Sequence, residues 1–367
     1  MRSRTVVFAG GGTAGHIQPA LAVATLWQKS HPADRIIFMG THSGLETTLV
    51  PQAGFELKLT TRVRVPRSLS PALLKVPSLL HQAIAESKGI LEGADLLIGF
   101  GGYVCAPAYI AAHSLHIPIV IHEANAKPGW ANRLGARYTD ALAVGTPVAG
   151  GAFSKALITG LPLREDISTL LESNKNASQG QWRLIRESAK AFFGIDPAKK
   201  VILVFGGSQG SQAINGVIEQ ARPHLKNSST VLLHSVGGAN ALPTSDDHYK
   251  AFSYITDMAQ AYLAADLVIA RSGAITCSEV GAIAKFALFI PLPVGNGEQS
   301  VNADHLVAAG RAITLAQESF NSSWLIDNMD SMLTRSSQQS DGVDARDLDA
   351  AAKIVALAEH QLELSAR

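Results

Sequence analysis

Along this chain, short apolar runs alternate with longer stretches whose apolar residues recur every three or four positions. The runs at 5–10 (TVVFAG), 35–40 (RIIFMG), 95–102 (DLLIGFGG), 118–125 (PIVIHEAN) and 141–146 (ALAVGT) read as buried strands. A second series follows at 200–211, 230–237, 249–255, 265–273 and 286–293. Strands that alternate with helices of ten or more residues predict an α/β fold with a doubly wound parallel sheet, and two such series predict two Rossmann-like domains. The polar stretch ESNKNASQGQWRLIRES within 165–199 has linker composition and puts the boundary near Pro162. The expected domains are therefore 1–163 and 164–345, with a terminal helix in 346–367 that packs back on the first. Leu348, Ala351, Val355, Ala358 and Leu362 form its apolar stripe.

Composition narrows the class. With 367 residues, 47% hydrophobic and 17% charged, the chain can bury sizeable cores, and its net charge of +1 gives no global reason to bind nucleic acid. The N-terminal run VVFA is too short for a signal peptide, and no stretch reaches the ~18 apolar residues of a membrane span. Cys105 and Cys277 stand far apart with no CxxC or Cys/His cluster, which argues against a disulfide framework or a zinc site and fits a reducing cytoplasm.

The chemistry gathers at glycine turns. Gly10, Gly12 and Gly15 in FAGGGTAGHIQPA fit the spacing G-x-G-x-x-G between a strand and a helix, where backbone N–H groups and the helix dipole hold an anion. A dinucleotide site also needs a carboxylate at the end of the next strand, and RIIFMGTHSG offers none there. A second turn, VFGGSQGSQAIN (204–215), opens the other domain at the corresponding place, and Ser208 and Gln209 add side-chain donors. In ARSGAITCSEV (270–280), Ser272 and Gly273 are expected to start a helix that places Glu279 in its second turn, where a carboxylate can take both hydroxyls of a ribose. Gln299 and Asn302 in the following polar loop can read sugar hydroxyls.

The stretches GGGTAGHIQPALAVA, LIGFGGYVCAPAYIAA, PIVIHEANAKPGWANRL, GLPLR, GGSQGSQAIN, ARSGAITCSEV and GEQSVNA, in this order, closely resemble the MurG family of peptidoglycan glycosyltransferases. The resemblance implies a GT-B architecture, two Rossmann-like domains facing a cleft, and inverting transfer of N-acetylglucosamine from UDP-N-acetylglucosamine to undecaprenyl-pyrophosphoryl-MurNAc-pentapeptide (lipid I), with no obligatory metal and no cofactor. It places Thr13, Ala14 and Gly15 at the first phosphate-side turn, Asn125 and Arg164 on the donor, and Ser208 at the diphosphate. Ile255 falls beside the uracil, and Ala274, Ile275, Thr276, Cys277, Ser278 and Glu279 lie along the nucleotide, with Gln299 on the sugar. His16 becomes the histidine at the reaction centre. The family's GGTGGH and HEQN stand here as GGTAGH and HEAN, so Ala14 adds a methyl group and Ala124 removes an amide.

Such a transfer needs a base for the acceptor hydroxyl, and the candidates are His16, whose ordinary pKa lies near neutrality, and Glu123, next to His122. Asp347 and Asp349 form a D-x-D, expected on the solvated face of the terminal helix rather than at a metal. The stripe Leu73, Leu74, Val76, Leu79, Leu80, Ala83, Ile84 and Leu91 reads as a core helix. Its edge, beside Arg62, Arg64, Arg67 and Lys75, could meet anionic phospholipid on the cytoplasmic face of the membrane as a peripheral protein. A UDP-N-acetylglucosamine 2-epimerase, a nicotinamide oxidoreductase and a non-catalytic sugar-nucleotide binder remain the rival readings.

Overall fold

The computed structural model describes residues 3–63, 74–207, 209–225, 229–293 and 297–365. Ser208, Arg64, Arg67 and Leu73 lie outside the described residues. The chain divides into two compact units, Met1–Arg164 with Asp349–Arg367, and Glu165–Leu348.

The first unit runs β1 (Thr5–Ala9), α1 (Ala14–Ser30), β2 (Arg35–Thr41), α2 (Glu46–Gln52), β3 (Glu56–Thr60), α3 (Val76–Leu91), β4 (Leu96–Gly99), α4 (Cys105–Ser114), β5 (Ile119–Glu123), α5 (Trp130–Gly135), β6 (Leu142–Val144) and β7 (Leu157–Ile158). Its seven strands are parallel in the order β3-β2-β1-β4-β5-β6-β7. Alternate residues of β1 serve opposite faces, as period-2 geometry requires. Val6 and Phe8 pack with Ile17, Trp27 and Ile354 on one side, and Val7 and Ala9 with Leu97 and Tyr109 on the other. Helix α3 buries only Ala83, Ser87 and Leu91, and Leu74 just before it is 84% exposed.

The second unit runs α6 (Glu165–Asn174), α7 (Gln179–Phe192), β8 (Lys200–Phe205), α8 (Gln212–Leu225), β9 (Thr230–Ser235), β10 (Tyr249–Phe252), α9 (Met258–Ala264), β11 (Leu267–Ala270), α10 (Ala274–Ala282), β12 (Ala287–Phe289), α11 (Gln299–Asn302), α12 (Asp304–Ala308), β13 (Ala312–Thr314) and α13 (Ser322–Ser337). Its six strands, parallel in the order β10-β9-β8-β11-β12-β13, repeat the order β3-β2-β1-β4-β5-β6 of the first unit. The repeat extends to single side chains. Asp95 before β4 accepts the Thr5 N–H, and Asp266 before β11 accepts the Val201 N–H, each at 2.8 Å, so a carboxylate fixes the start of the central strand in both sheets. Around Asp266, Arg186, Lys190 and Lys200 hold its carboxyl below the usual range.

Two sequence expectations are corrected. The polar stretch within 165–199 is not a linker but the helices α6 and α7. Ser178 and Gln181 form a reciprocal capping box at the start of α7, and the otherwise polar helix is held by burial of Trp182, Ala189 and Lys190 and by the pairing of Arg186 and Lys190 with Asp266. The terminal helix spans Ala350–Ser365 and packs on α1, whereas Asp347 belongs to a separate 3₁₀ turn, Ala345–Asp347. There the Ser278 hydroxyl donates to the Asp347 carboxylate, so the D-x-D is not a solvated helix face. No helix among the described residues is long and apolar enough to cross a membrane.

Candidate active site

In both sheets the strand order reverses beside the first strand, between β1 and β4 and between β8 and β11, and the candidate residues gather at the carboxyl ends of these strands. Open α/β sheets leave a crevice at that point, because the flanking connections leave to opposite faces.

In the first unit, Gly12 turns the chain with φ +90° into α1, and Thr13 is the N-cap residue, although its side chain caps nothing. The first amides of α1 therefore have no side-chain cap and face the carboxyl end of the sheet with Ala14 and Gly15. His16 lies in that first turn. Its Nδ1 is 3.2 Å from the Gly11 carbonyl and 3.2 Å from Thr13 Oγ1. Opposite it, Gly101 and Gly102 adopt φ +96° and +92°, and a Cβ on Gly102 would sit 2.4 Å from the Gly11 oxygen, so only glycine allows the two turns to close. The buried Cys105 lies beneath both, accepting the Gly101 N–H at 3.2 Å and donating to the Ala9 carbonyl at the end of β1 at 3.2 Å. Burial pushes its thiol up to about 12, which keeps it neutral. Tyr103 stands over this turn with the Arg62 guanidinium 4.6 Å from its ring centroid.

At the end of β5, Glu123 is buried and both its oxygens are committed. Oε1 accepts the Asn125 N–H (2.9 Å) and Nδ2–H (3.1 Å), while Oε2 accepts the Gly129 N–H (2.9 Å) and the Asn132 Nδ2–H (3.0 Å). Tyr109 in turn donates to Asn132 Oδ1 at 2.8 Å. Glu123 is thus the anchor of the loop that presents Asn125. His122 donates from Nε2 to the Gly160 carbonyl, and burial lowers its pKa to about 4, so it stays neutral. Arg164, half-buried, is the last residue of this part of the unit.

In the second unit the turn after β8 has Gly207 at φ +90° and Gly210 at φ +75°. A Cβ on Gly210 would meet the Val236 carbonyl at 2.0 Å, so this turn also closes only on glycine. After β11, Gly273 opens α10 with no side-chain cap, leaving first-turn amides for an anion beside the half-buried Ala274, Ile275 and Thr276. Cys277, Ser278 and Glu279 are all buried beneath them, and the Ser278 hydroxyl is already turned to Asp347, so the first turn is the more open part of this string. Glu279 is 4% exposed, and its Oε2 accepts the Tyr262 hydroxyl at 2.9 Å. Ile255 is buried between β10 and α9. Gln299 accepts the Leu292 N–H at 3.0 Å, and Asn302 donates to the Ser272 carbonyl at 3.1 Å, which welds the loop after β12 to the start of α10.

Three participants escape a reading of the sequence. Arg271 is buried with four neutral oxygens, from Ile290, Pro291, Ser211 and Gln317, as its partners, and so places a positive charge behind the Gly206–Ser211 turn. Its position directly before Ser272 is the only local signal. Tyr262 orients Glu279 from another helix. Glu46, on α2, is fully buried with its carboxylate on the Gly12 N–H. It supplies an acid near the end of β2, but that acid turns into the glycine turn instead of towards a ribose. Among the described residues, no group of three or more His, Cys, Asp or Glu could hold a metal ion.

Comparison with known proteins gives matches over both units. Residues 6–144 match the glycosyltransferase family 28 N-terminal domain, and residues 201–359 the glycosyltransferase family 28 C-terminal domain. The chain is 44% identical over 331 residues to a UDP-N-acetylglucosamine--N-acetylmuramyl-(pentapeptide) pyrophosphoryl-undecaprenol N-acetylglucosamine transferase of Streptomyces coelicolor, covering 88% of each chain. It is 42% identical over 338 residues to the protein of that name from Paenarthrobacter aurescens, covering 90% of this chain and 88% of the relative. Among solved structures, Acinetobacter baumannii MurG superposes with a TM-score of 0.67 at 24% identity over 98% of this chain and 100% of that one, which supports the two-domain fold.

Proposed function

The chain belongs to glycosyltransferase family 28, and from that premise we propose that it is an inverting N-acetylglucosaminyltransferase that acts on UDP-N-acetylglucosamine and lipid I to give lipid II for peptidoglycan synthesis. The observation that carries this reading is the extent of the Streptomyces coelicolor match, which runs through both units and far beyond any single glycine turn.

The second unit is the donor half. Glu279, oriented by Tyr262, takes the ribose hydroxyls, Ile255 lines the base and Gln299 meets the sugar. The diphosphate lies against the first turn of α10 and the Gly206–Gly210 turn, with Ser208 as a further donor. The first unit is the acceptor half. The acceptor hydroxyl oxygen bonds to the anomeric carbon, the bond from that carbon to the diphosphate oxygen breaks with its electron pair leaving on UDP, and the hydroxyl proton passes to His16. Charge growing on the leaving diphosphate is met by helix amides, by Arg164 and by the buried Arg271 behind the turn. Glu123 serves this site by holding Asn125, since its oxygens already accept four N–H groups. The protein meets its lipid acceptor as a peripheral protein on the cytoplasmic face of the membrane. Leu74 and Lys75, exposed ahead of α3, favour an anionic phospholipid surface.

The test is turnover. The purified protein should release UDP from UDP-N-acetylglucosamine only with a lipid I analogue present and without added metal, and His16→Ala should abolish this while leaving UDP affinity largely intact. Equally fast release without acceptor, or an epimerised sugar as product, overturns the transferase reading. Wild-type turnover of His16→Ala removes the histidine from the chemistry.

A further inference from the structure

Glu46 is 0% exposed, and among the described residues no lysine, arginine or histidine forms an ion pair with it. Its charge is instead balanced by hydrogen-bond donors. Oε1 accepts the Thr41 N–H at 2.9 Å and the Thr41 hydroxyl at 3.0 Å, and Oε2 accepts the Gly12 N–H at 2.8 Å. Three glycines make room for it. A Cβ on Gly11, Gly40 or Gly44 would lie 2.8, 2.4 or 1.8 Å from the Glu46 side chain. A buried carboxylate is costly to keep, and one sheltered by three glycines under a functional turn calls for a reason.

The peptide group between Gly11 and Gly12 supplies it. Its N–H end binds Glu46, and its C=O end, the Gly11 oxygen, lies 3.2 Å from His16 Nδ1. The two neighbours of Nδ1 correspond to the two neutral tautomers of the imidazole. In one, Nδ1–H donates to the Gly11 carbonyl and the lone pair resides on Nε2. In the other, the Thr13 hydroxyl, also 3.2 Å away, donates to an unprotonated Nδ1, and Nε2 carries the proton. Only the first tautomer leaves Nε2 able to take a proton. A carboxylate on the N–H of a peptide polarises its carbonyl, because hydrogen bonds in series strengthen one another where the dielectric is low. Gly101, with no side chain, leaves room on the other side. A Cβ there would be 3.3 Å from Nε2.

We propose that Glu46 is a positioning residue which acts through the Gly11–Gly12 peptide to hold His16 in the Nδ1–H tautomer, with Nε2 as the base. The arrangement does the work of a carboxylate bonded directly to a histidine, with one peptide group interposed. It rests on the reading of His16 as the base of the transfer, yet its test can be separated from that reading. In protein labelled with ¹⁵N-histidine, with His16 assigned by comparison with His16→Ala, the nitrogen shifts should show neutral His16 protonated on Nδ1. An Nε2–H signal in the wild-type protein overturns the proposal, whether or not any variant folds. In Glu46→Gln, which keeps the size and loses the charge, the Nε2–H tautomer should gain population. Turnover should then fall roughly 10- to 100-fold, part of what a positioned base supplies, with UDP affinity unchanged. An unchanged tautomer in Glu46→Gln refutes the role, including when activity is lost. Unchanged turnover of His16→Ala would remove the base reading and leave the tautomer result standing.

Discussion

Replacing Glu123 with glutamine separates two roles that a carboxylate beside a histidine can have. The four donors on Glu123 are divided two to each oxygen, from Asn125 on one and from Gly129 and Asn132 on the other. A glutamine presents one oxygen and one NH₂, so whichever way the amide turns, two N–H groups face a donor. Two charge-assisted hydrogen bonds are lost, at about 1.5–3 kcal/mol each, which gives roughly 3–6 kcal/mol of destabilisation confined to the first unit. For a unit of this size, about 4 kcal/mol corresponds to a fall in melting temperature of roughly 8–16 °C. Calorimetric melting should show one transition moved by that amount and a second left in place, and UDP binding should persist. If Glu123→Gln melts like the wild type yet turns over far more slowly, Glu123 is the base and the anchoring role assigned to it is wrong.

Three further outcomes follow from the same geometry. Gly102→Ala combines a positive φ with a Cβ 2.4 Å from the Gly11 oxygen. It should cost roughly 2 kcal/mol or more in urea denaturation and depress turnover by displacing the His16 turn, and a stability change under about 0.5 kcal/mol would refute the close approach. His122 and His234 have folded pKa values lowered to about 4 by burial, against 6.5 when unfolded. The unfolded chain therefore binds more protons between these values. Stability is at its fullest above pH 6.5 and declines as pH falls, by about 2 kcal/mol for each histidine at pH 5. Equal urea midpoints at pH 7 and pH 5 would contradict this. Glu279→Ala should weaken UDP binding by about 1.5–3 kcal/mol, the range for hydrogen bonds to a charged group, and calorimetric affinity equal to the wild type would remove Glu279 from the ribose.

The strands at the centre of both sheets were legible because central parallel strands are covered on both faces and so become unbroken apolar runs. The edges were not. β3 (ELKLT) carries Glu56 and Lys58 and is only partly buried, β7 has two residues and β13 three, and each exists because a neighbouring strand supplies its hydrogen bonds. Helix α7 was hidden by the same logic in reverse. Its polar composition resembles a linker, and only packing on α9 shows which few residues it buries. At the site, the glycine turns, His16 and Glu279 stand in contiguous motifs. Glu46 lies in an unremarkable loop-to-helix stretch, and nothing local reveals that its carboxylate turns under Gly12.

By itself, then, the sequence determined the alternation of strand and helix, the two parallel sheets and the turns that only glycine can make, because each depends on residues close along the chain. The tertiary structure alone decided which polar groups meet. It committed Glu123 to Asn125, Gly129 and Asn132, set Arg271 behind the second turn, and put Glu46 on the peptide that His16 also touches. A hydrogen bond is worth most where water is excluded, and that exclusion comes from segments distant in the chain packing together.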